Sequence, residues 1–347
     1  MKVAIFAPVI ERVPPPRYGG TEMVIYLLVE GLIKKGFDVT LFASADSLTS
    51  AKLIPVSSEA IRTNPENIWP YDYFMSQDLA ADIVKNYLLK NHFDIFHNHN
   101  EYFGLMASKD INIPKLTTLH GILNFKTIKK FFSRFDNSHF ISISNDQRKY
   151  QPKLNWLSTV YNGINLNEFT YNPNPKGNYL LYFSRIAQQK GCLEAIQVAK
   201  KVGMKLIMAS KIDYEDKDFF ELKIEPEIDN KQIIYLGEVD HDKKLELFQN
   251  AYAYLFPIKW DEPFGLTMVE AMACGAPVLA FRAGSVPEII ADGTSGYISE
   301  NIDQMVADVK KVDELKRENC RKQAEKFSSE HMVENYIKVY KKILAKT

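Results

Sequence analysis

Short runs rich in β-branched and apolar residues alternate with amphipathic stretches along the whole chain, and the alternation starts twice. Strands are predicted at 3–8, 39–43, 95–99, 116–120, 140–144 and 158–161, then at 179–184, 206–209, 233–236, 254–256, 277–281 and 296–298. Between them, stretches such as 21–35, 193–202 and 243–251 carry apolar residues every three or four positions, the period of a half-buried helix. Strands alternating with helices in this way form parallel, doubly wound sheets. After Asn162 and Gly163 a polar stretch rich in Pro and Asn, 165–178, precedes a fresh strand at Tyr179. That is the composition of a connection between compact units. The expected organisation is α/β, with one unit at 1–172, a second at 173–327 and a long amphipathic helix over 328–347. A length of 347 residues suits two units of roughly 150.

Composition removes several classes of function. Lys and Arg number 43 and Asp and Glu 43, so the basic excess of a generic nucleic-acid binder is absent. Cys192, Cys274 and Cys320 are odd in number and far apart, which outlines neither a disulfide framework nor a metal site and reads as reduced, cytosolic thiols. The apolar run at 3–10 is interrupted by Pro8 and followed by Glu11 and Arg12, the pattern of a first strand and not of a signal peptide. No uncharged apolar run approaches the ~18 residues of a membrane-spanning helix. A cytoplasmic location is expected, with any membrane contact peripheral.

In open α/β sheets ligands sit beyond the carboxyl ends of the strands, where strand order reverses. The first strand leads to Pro14-Pro15-Pro16-Arg17-Tyr18-Gly19-Gly20-Thr21-Glu22. There the glycines open a helix whose free amides and dipole favour an anion, although a plain turn is the simpler reading. The spacing is not GxGxxG, which counts against a nicotinamide or flavin dinucleotide. In the second half Arg185 directly follows a strand, and Lys190-Gly191 starts the next helix. Two cations at the mouth of a sheet suit a diphosphate, Arg as a planar fork and Lys as a point charge. As an isolated observation they are equally two solvated charges. The sharpest feature is Glu262-Pro263-Phe264-Gly265-Leu266-Thr267-Met268-Val269-Glu270, where a carboxylate precedes a helix start and a second follows along the helix. Both can reach one ligand at different depths.

The segment from Glu262 to Glu270, continuing into Ala271-Met272-Ala273-Cys274-Gly275-Ala276-Pro277-Val278, resembles the E-x7-E signature of retaining glycosyltransferases, specifically family 4 with its B-type fold. Arg185, Lys190-Gly191, Leu236-Gly237, Gly284-Ser285-Val286-Pro287-Glu288, Asp292-Gly293 and Gly296-Tyr297 extend the match. So do Gly19-Gly20, His120-Gly121, Ser142, Ser144 and Asn162-Gly163-Ile164 in the first half. The one visible departure is Ser184, where the family usually has Gly before the arginine.

The resemblance implies two doubly wound Rossmann-like domains facing each other across a cleft, with the C-terminal helix crossing back to the first. It implies a nucleoside-diphosphate sugar as donor and a hydroxyl acceptor, with no cofactor and no metal. Glu270 would accept hydrogen bonds from the ribose hydroxyls, and Glu262 would contact hydroxyls of the transferred sugar. Backbone amides of Phe264, Gly265, Leu266 and Thr267 would hold sugar and phosphate, and Arg185 and Lys190 the diphosphate. Gly237, Glu238 and Val239 would lie against the base, Gly19 and Gly20 would approach the phosphates, and His120 would sit near the sugar. His97, His99 and Thr21 are expected on the acceptor side.

Simpler readings remain for the other candidates. Asp216-Lys217-Asp218 and Asp240-His241-Asp242 match a metal-binding DxD, but the second pair directly precedes a helix, where capping accounts for it. His97 and His99 share a strand face, as two metal ligands, an acceptor contact or packed side chains would. Within 125–135, Lys126, Lys129, Lys130 and Arg134 lie on one helical face and Ile128, Phe131, Phe132 and Phe135 crowd elsewhere. Such a segment suits an anionic membrane surface or a core helix with a solvated basic side. Alternatives to a transferase are a B-type sugar-nucleotide epimerase, a phosphorylase-like relative and a non-enzymatic two-domain sugar-binding protein.

Overall fold

The computed structural model describes residues 1–17, 19–63, 70–135 and 138–345. Tyr18 of the loop before Gly19, and Lys346 and Thr347 of the expected last helix, lie outside the described residues. The chain divides into two compact units. One comprises Met1–Gly163 with Ser329–Thr347, and the other Ile164–Ser328.

The first unit is built on a seven-stranded parallel sheet of order β3-β2-β1-β4-β5-β6-β7. Its strands are β1 (Lys2–Phe6), β2 (Asp38–Ser44), β3 (Lys52–Ser57), β4 (Ile95–Asn98), β5 (Lys115–Leu119), β6 (His139–Ser142) and β7 (Trp156–Thr159). The order reverses between β1 and β4, which pair in register from Val3 against Ile95 to Phe6 against Asn98. The loops after those two strands are therefore where a ligand is expected. β3 was not predicted, because Pro55 interrupts its pattern. As an edge strand it tolerates a residue without an amide donor.

The helix Ser329–Leu344 belongs to this unit. Its partner is the helix Gly20–Lys34, where a Cβ on Gly31 would come within 2.5 Å of Val333 Cγ2. The missing side chain at Gly31 thus sets how closely the two helices approach. The same face, three and seven residues on from Val333, buries Tyr336 and Tyr340 completely against the His97 ring of β4.

The second unit carries a six-stranded parallel sheet of order β10-β9-β8-β11-β12-β13. Its strands are β8 (Tyr179–Phe183), β9 (Lys205–Ala209), β10 (Ile233–Gly237), β11 (Ala253–Phe256), β12 (Val278–Phe281) and β13 (Gly296–Ser299). Here the reversal lies between β8 and β11. Leu180, Tyr182, Leu206, Ile233, Leu255 and Leu279 form its core with the helix Cys192–Val202.

The division falls at Gly163, not near residue 172, which corrects the expected boundary. The polar stretch that reads as a linker is bonded into the second unit. Ile164 pairs with Ser328, the Asn172 amide donates to the Cys274 carbonyl, and the Arg317 guanidinium donates to the carbonyls of Asn172, Ala251 and Gln249. Side chains rich in Pro and Asn describe the absence of regular structure, not the absence of contacts.

Candidate functional site

In the second unit the residues following β8 and β11 converge. Arg185 leaves the end of β8, and its Nη1 lies 2.6 Å from Asp213 Oδ2 and 3.6 Å from Asp216 Oδ2. Lys190 precedes Gly191, whose left-handed φ of 74° and close approach to the Pro257 carbonyl require glycine. Lys190 Nζ donates to Glu262 Oε2 at 2.6 Å and stands 4.6 Å from the centre of the Trp260 ring. The Trp260 indole N–H donates to the same carboxylate oxygen at 3.0 Å. Glu262 is thus fixed by a cation and an indole, and Lys190 by a carboxylate and an aromatic face.

The loop between Glu262 and the helix Leu266–Ala273 is held from beneath. Ser285 donates from its amide to the Glu262 carbonyl at 2.9 Å and from its hydroxyl to the Phe264 carbonyl at 2.8 Å. A Cβ at Gly284 would strike the Glu262 backbone at 2.4 Å. Phe264 is buried, its ring packed edge-on against Phe327. Gly265 caps the helix at φ 80° with no side-chain cap, so the first turn offers amides to a ligand. Thr267 shares a 2.9 Å hydrogen bond with the buried Tyr254 hydroxyl. Glu270 is 9 % exposed, and Lys244 Nζ lies 2.7 Å from its Oε2, an ion contact without hydrogen-bond geometry. Lys244 is itself flanked by the Phe169 and Phe183 rings.

Gly237 ends β10 at a register shift, with φ 72° and open space around its missing Cβ, and Glu238 after it is exposed. Asp240 caps the helix His241–Asn250 by accepting from the Lys243 amide at 2.8 Å, and Asp216 lies beside Arg185, so both DxD runs have structural partners.

In the first unit the ends of β4 and β5 carry a chain of imidazoles. His97 Nδ1 lies 2.7 Å from the Tyr340 hydroxyl, and its Nε2 lies 2.8 Å from Thr118 Oγ1. His99 Nε2 is 3.3 Å from His97 Nδ1, and His99 Nδ1 is 2.8 Å from His120 Nε2. Burial, reinforced by the neighbouring imidazoles, holds His97 and His99 well below the usual histidine range. Burial pushes His120 down to about 4. Glu101, at a positive φ of 32°, accepts the amides of His120 and Gly121 on one carboxylate oxygen at 2.8 and 2.7 Å. Burial raises the pKa of that carboxyl.

Gly19, at φ 154°, precedes the helix Gly20–Lys34, and a Cβ there would meet Pro15 at 2.6 Å. Thr21 is half-buried in the first turn. Glu22, one residue on, is buried, and desolvation pushes its carboxyl up to about 7.

The structure therefore brings together Arg185 with its acidic partners, Lys190 with Glu262, and Glu270 with the helix start. His97 and His99 require a correction. Both are completely buried, so neither presents a surface for direct contact with an acceptor, and of the three imidazoles only His120 is partly exposed. The 125–135 segment has its basic side exposed and most of its apolar side packed inward. Ile128, Phe132 and Phe135 join a buried cluster with Leu119 and Phe140, while Lys126, Lys129, Lys130 and Phe125 face outward. Among the described residues no helix is long and apolar enough to cross a membrane.

Sequence reasoning missed Asp213, Lys244, Trp260, Glu101, Tyr336 and Tyr340. Trp260 had a signal in its position two residues before Glu262. The tyrosines had one in their four-residue spacing on an amphipathic helix. Lys244 and Glu101 had none.

Two family models match the chain in succession: "Glycosyltransferase Family 4" over residues 18–168 and "Glycosyl transferases group 1" over residues 164–329. An uncharacterized glycosyltransferase from Methanocaldococcus jannaschii is 27 % identical over 287 residues, covering 76 % of this chain and 80 % of the relative. Among solved structures, sucrose-phosphate synthase from Thermosynechococcus elongatus matches with a TM-score of 0.82 at 17 % identity, covering 100 % of both chains. HepE from Anabaena in complex with UDP-glucose matches with a TM-score of 0.73 at 16 % identity, again covering 100 % of both chains. These structural likenesses establish a shared fold of two parallel α/β units.

Proposed function

For a chain that belongs to the glycosyltransferases through both of its halves, we propose a retaining, metal-independent transfer of a hexose from a UDP- or GDP-sugar to a hydroxyl acceptor. The observation that carries the reading is the grouping of Arg185, Lys190, Glu262 and Glu270 with the uncapped helix start at Gly265, all in the unit matched by the group 1 model. Breaking the anomeric bond leaves growing negative charge on a diphosphate and positive character on the sugar. Preorganised cations and amides stabilise the first, and each such donor typically contributes about 10²- to 10³-fold in rate. Lys190 and Arg185 supply that charge without a metal.

Glu262 hydrogen-bonds hydroxyls of the transferred sugar, and Glu270 accepts from the vicinal ribose hydroxyls, exchanging its contact with Lys244 for two donors. Gly237 to Val239 lie along the base. With Glu262 assigned to hydroxyls and no other carboxylate nominated as a nucleophile, the acceptor attacks from the face the diphosphate leaves, and the departing phosphate takes its proton. Retention follows from that geometry. The complex of HepE with UDP-glucose supports a uridine donor in this fold.

The test is a thermal-shift panel of UDP, GDP and ADP sugars, with hydrolysis followed by NMR of the anomeric proton and repeated in EDTA. Stabilisation by UDP or GDP sugars, an α product from an α donor and insensitivity to EDTA are expected. Failure of every nucleotide to stabilise the fold would contradict the reading. An inverted product, or turnover lost in EDTA, would remove its retaining or metal-independent part.

A further inference from the structure

A continuous line of polar rings runs through the first unit, from the C-terminal helix to the partly exposed His120, and one arrangement of its protons sets a donor against an acceptor at every contact. Tyr340 is completely buried, and its hydroxyl has one hydrogen-bond partner among the described residues, His97 Nδ1 at 2.7 Å. A buried phenol proton must find an acceptor, so Tyr340 donates and His97 Nδ1 is bare. The His97 proton is then on Nε2, which donates to Thr118 Oγ1 at 2.8 Å. Thr118 in turn meets the Tyr336 hydroxyl at 3.1 Å.

His99 Nε2 stands 3.3 Å from the same His97 Nδ1, whose lone pair already accepts from Tyr340; a proton on His99 Nε2 makes this a longer, shared contact, whereas a second lone pair there would repel. That leaves His99 Nδ1 bare at 2.8 Å from His120 Nε2, which must therefore be the donor. The opposite assignment puts a single His97 proton between Tyr340 and His99 and leaves the Tyr340 proton without an acceptor. Each ring thus passes its tautomer to the next, because the nitrogen that donates determines which nitrogen is left as acceptor.

We infer that Tyr340, His97 and His99 are positioning residues that lock His120 as the Nε2–H tautomer, so that its Nδ1 presents a lone pair to a substrate hydroxyl. His120 Nδ1 has no protein partner among the described residues. Glu101 fixes the same residue from the backbone side through the amides of His120 and Gly121. Burial keeps the ring neutral at physiological pH, so it meets a hydroxyl as an acceptor and not as a cation. The assignment of the hydroxyl to a sugar substrate rests on the proposed function, and the tautomer does not.

The experiment uses the full chain labelled with 15N in its imidazoles. Two-bond 1H–15N correlation spectra at pH 7.5, without ligand, distinguish the two tautomers of each ring. Wild-type His120 is expected with its proton on Nε2, and Tyr340→Phe is expected to shift its two ring nitrogens toward the values of a tautomer mixture. With a donor that is turned over, the same variant is expected to lower kcat about 2- to 12-fold, the loss of one hydrogen bond, with the donor KM within about twofold. A wild-type proton on Nδ1, or an unmixed Nε2–H tautomer in Tyr340→Phe, would overturn the inference. If the variant does not fold, the wild-type spectrum decides alone. If no donor is turned over, the functional reading fails while the spectrum still decides the tautomer.

Discussion

The carboxyl ends of the two sheets solve the same electrostatic problem in opposite ways. In the first unit His97, His99 and Glu22 are buried, His120 and Glu101 half-buried, and all five are shifted toward their neutral forms. In the second, Arg185 meets Asp213, Lys190 meets Glu262 and Lys244 meets Glu270, charged groups held in contact with opposite charges. Burial without a counter-charge pushes a group to neutrality, whereas pairing keeps the charge available for exchange with a charged ligand. A neutral end suits hydroxyls, and a paired end suits a diphosphate. The first should respond to pH and the second to salt and to charge removal.

The largest effect that tests this contrast comes from removing a cation in the second unit. Arg185→Ala or Lys190→Ala is expected to lower donor turnover about 10²- to 10³-fold, while the free energy of unfolding falls by about 2 kcal/mol, as for any cation removed from a largely buried pair. Steady-state kinetics and urea melts on the same preparations check both halves. A loss of turnover below tenfold would mean that these charges serve packing.

Next in size is His97→Ala in the first unit. It strips Tyr340 and Thr118 of their shared partner and opens space beneath the tyrosines, which is expected to cost about 2–4 kcal/mol in denaturant unfolding. The thermal shift given by a nucleotide sugar should remain. If His97→Ala abolished nucleotide stabilisation and left stability intact, the contrast between the units would be reversed.

How much of this was legible in the sequence follows the same division. The second unit's site could be read from local runs, because its glycines and carboxylates lie within a few residues of one strand end, as from Glu262 to Glu270. Twelve of the thirteen strands among the described residues were legible from periodicity, and β3 was hidden by Pro55. The first unit's histidines were visible as a strand-face pair, but their burial was not. It is produced by Tyr336 and Tyr340, more than two hundred residues away in sequence. Lys244 was invisible for a related reason, since only the packing of one helix against another brings it to Glu270. Spacing reports neighbours along an element, and these partners come from different elements.

Lys244 also gives the comparison its third test. Lys244→Met leaves the 9 % exposed Glu270 without its counter-charge, and the expected loss is about 2 kcal/mol by chemical denaturation at pH 7.5. Lys243, its neighbour, makes only an exposed pair with Glu246, and Lys243→Ala should change stability by under about 0.5 kcal/mol. Equal effects from the two lysines would show that the Glu270 contact is no stronger than a surface pair.

The smallest effect is the most selective, because it separates two buried groups of opposite sign by pH alone. The Glu22 carboxyl is raised from 4.5 to about 7, chiefly by burial and further by the charge of Glu11, with Arg62 opposing. A raised carboxyl stabilises the fold while protonated, so its contribution is complete below about pH 4.5 and is lost as pH rises through about 7. The three histidines behave inversely, since a depressed imidazole costs stability only as pH falls below about 6.5. At pH 6.5 an unfolded histidine is about half protonated, so the histidines add an opposing slope that wild type and a Glu22 variant share, and only the difference in slope between the two belongs to Glu22. Glu22→Gln keeps the shape and removes the titration, so it should erase roughly 1 kcal/mol of the stability lost over that interval. Urea melts at pH 6.5 and 8 on both proteins measure the difference. An unchanged slope would mean that Glu22 is ionised in the folded chain, and that the first unit holds a buried charge after all.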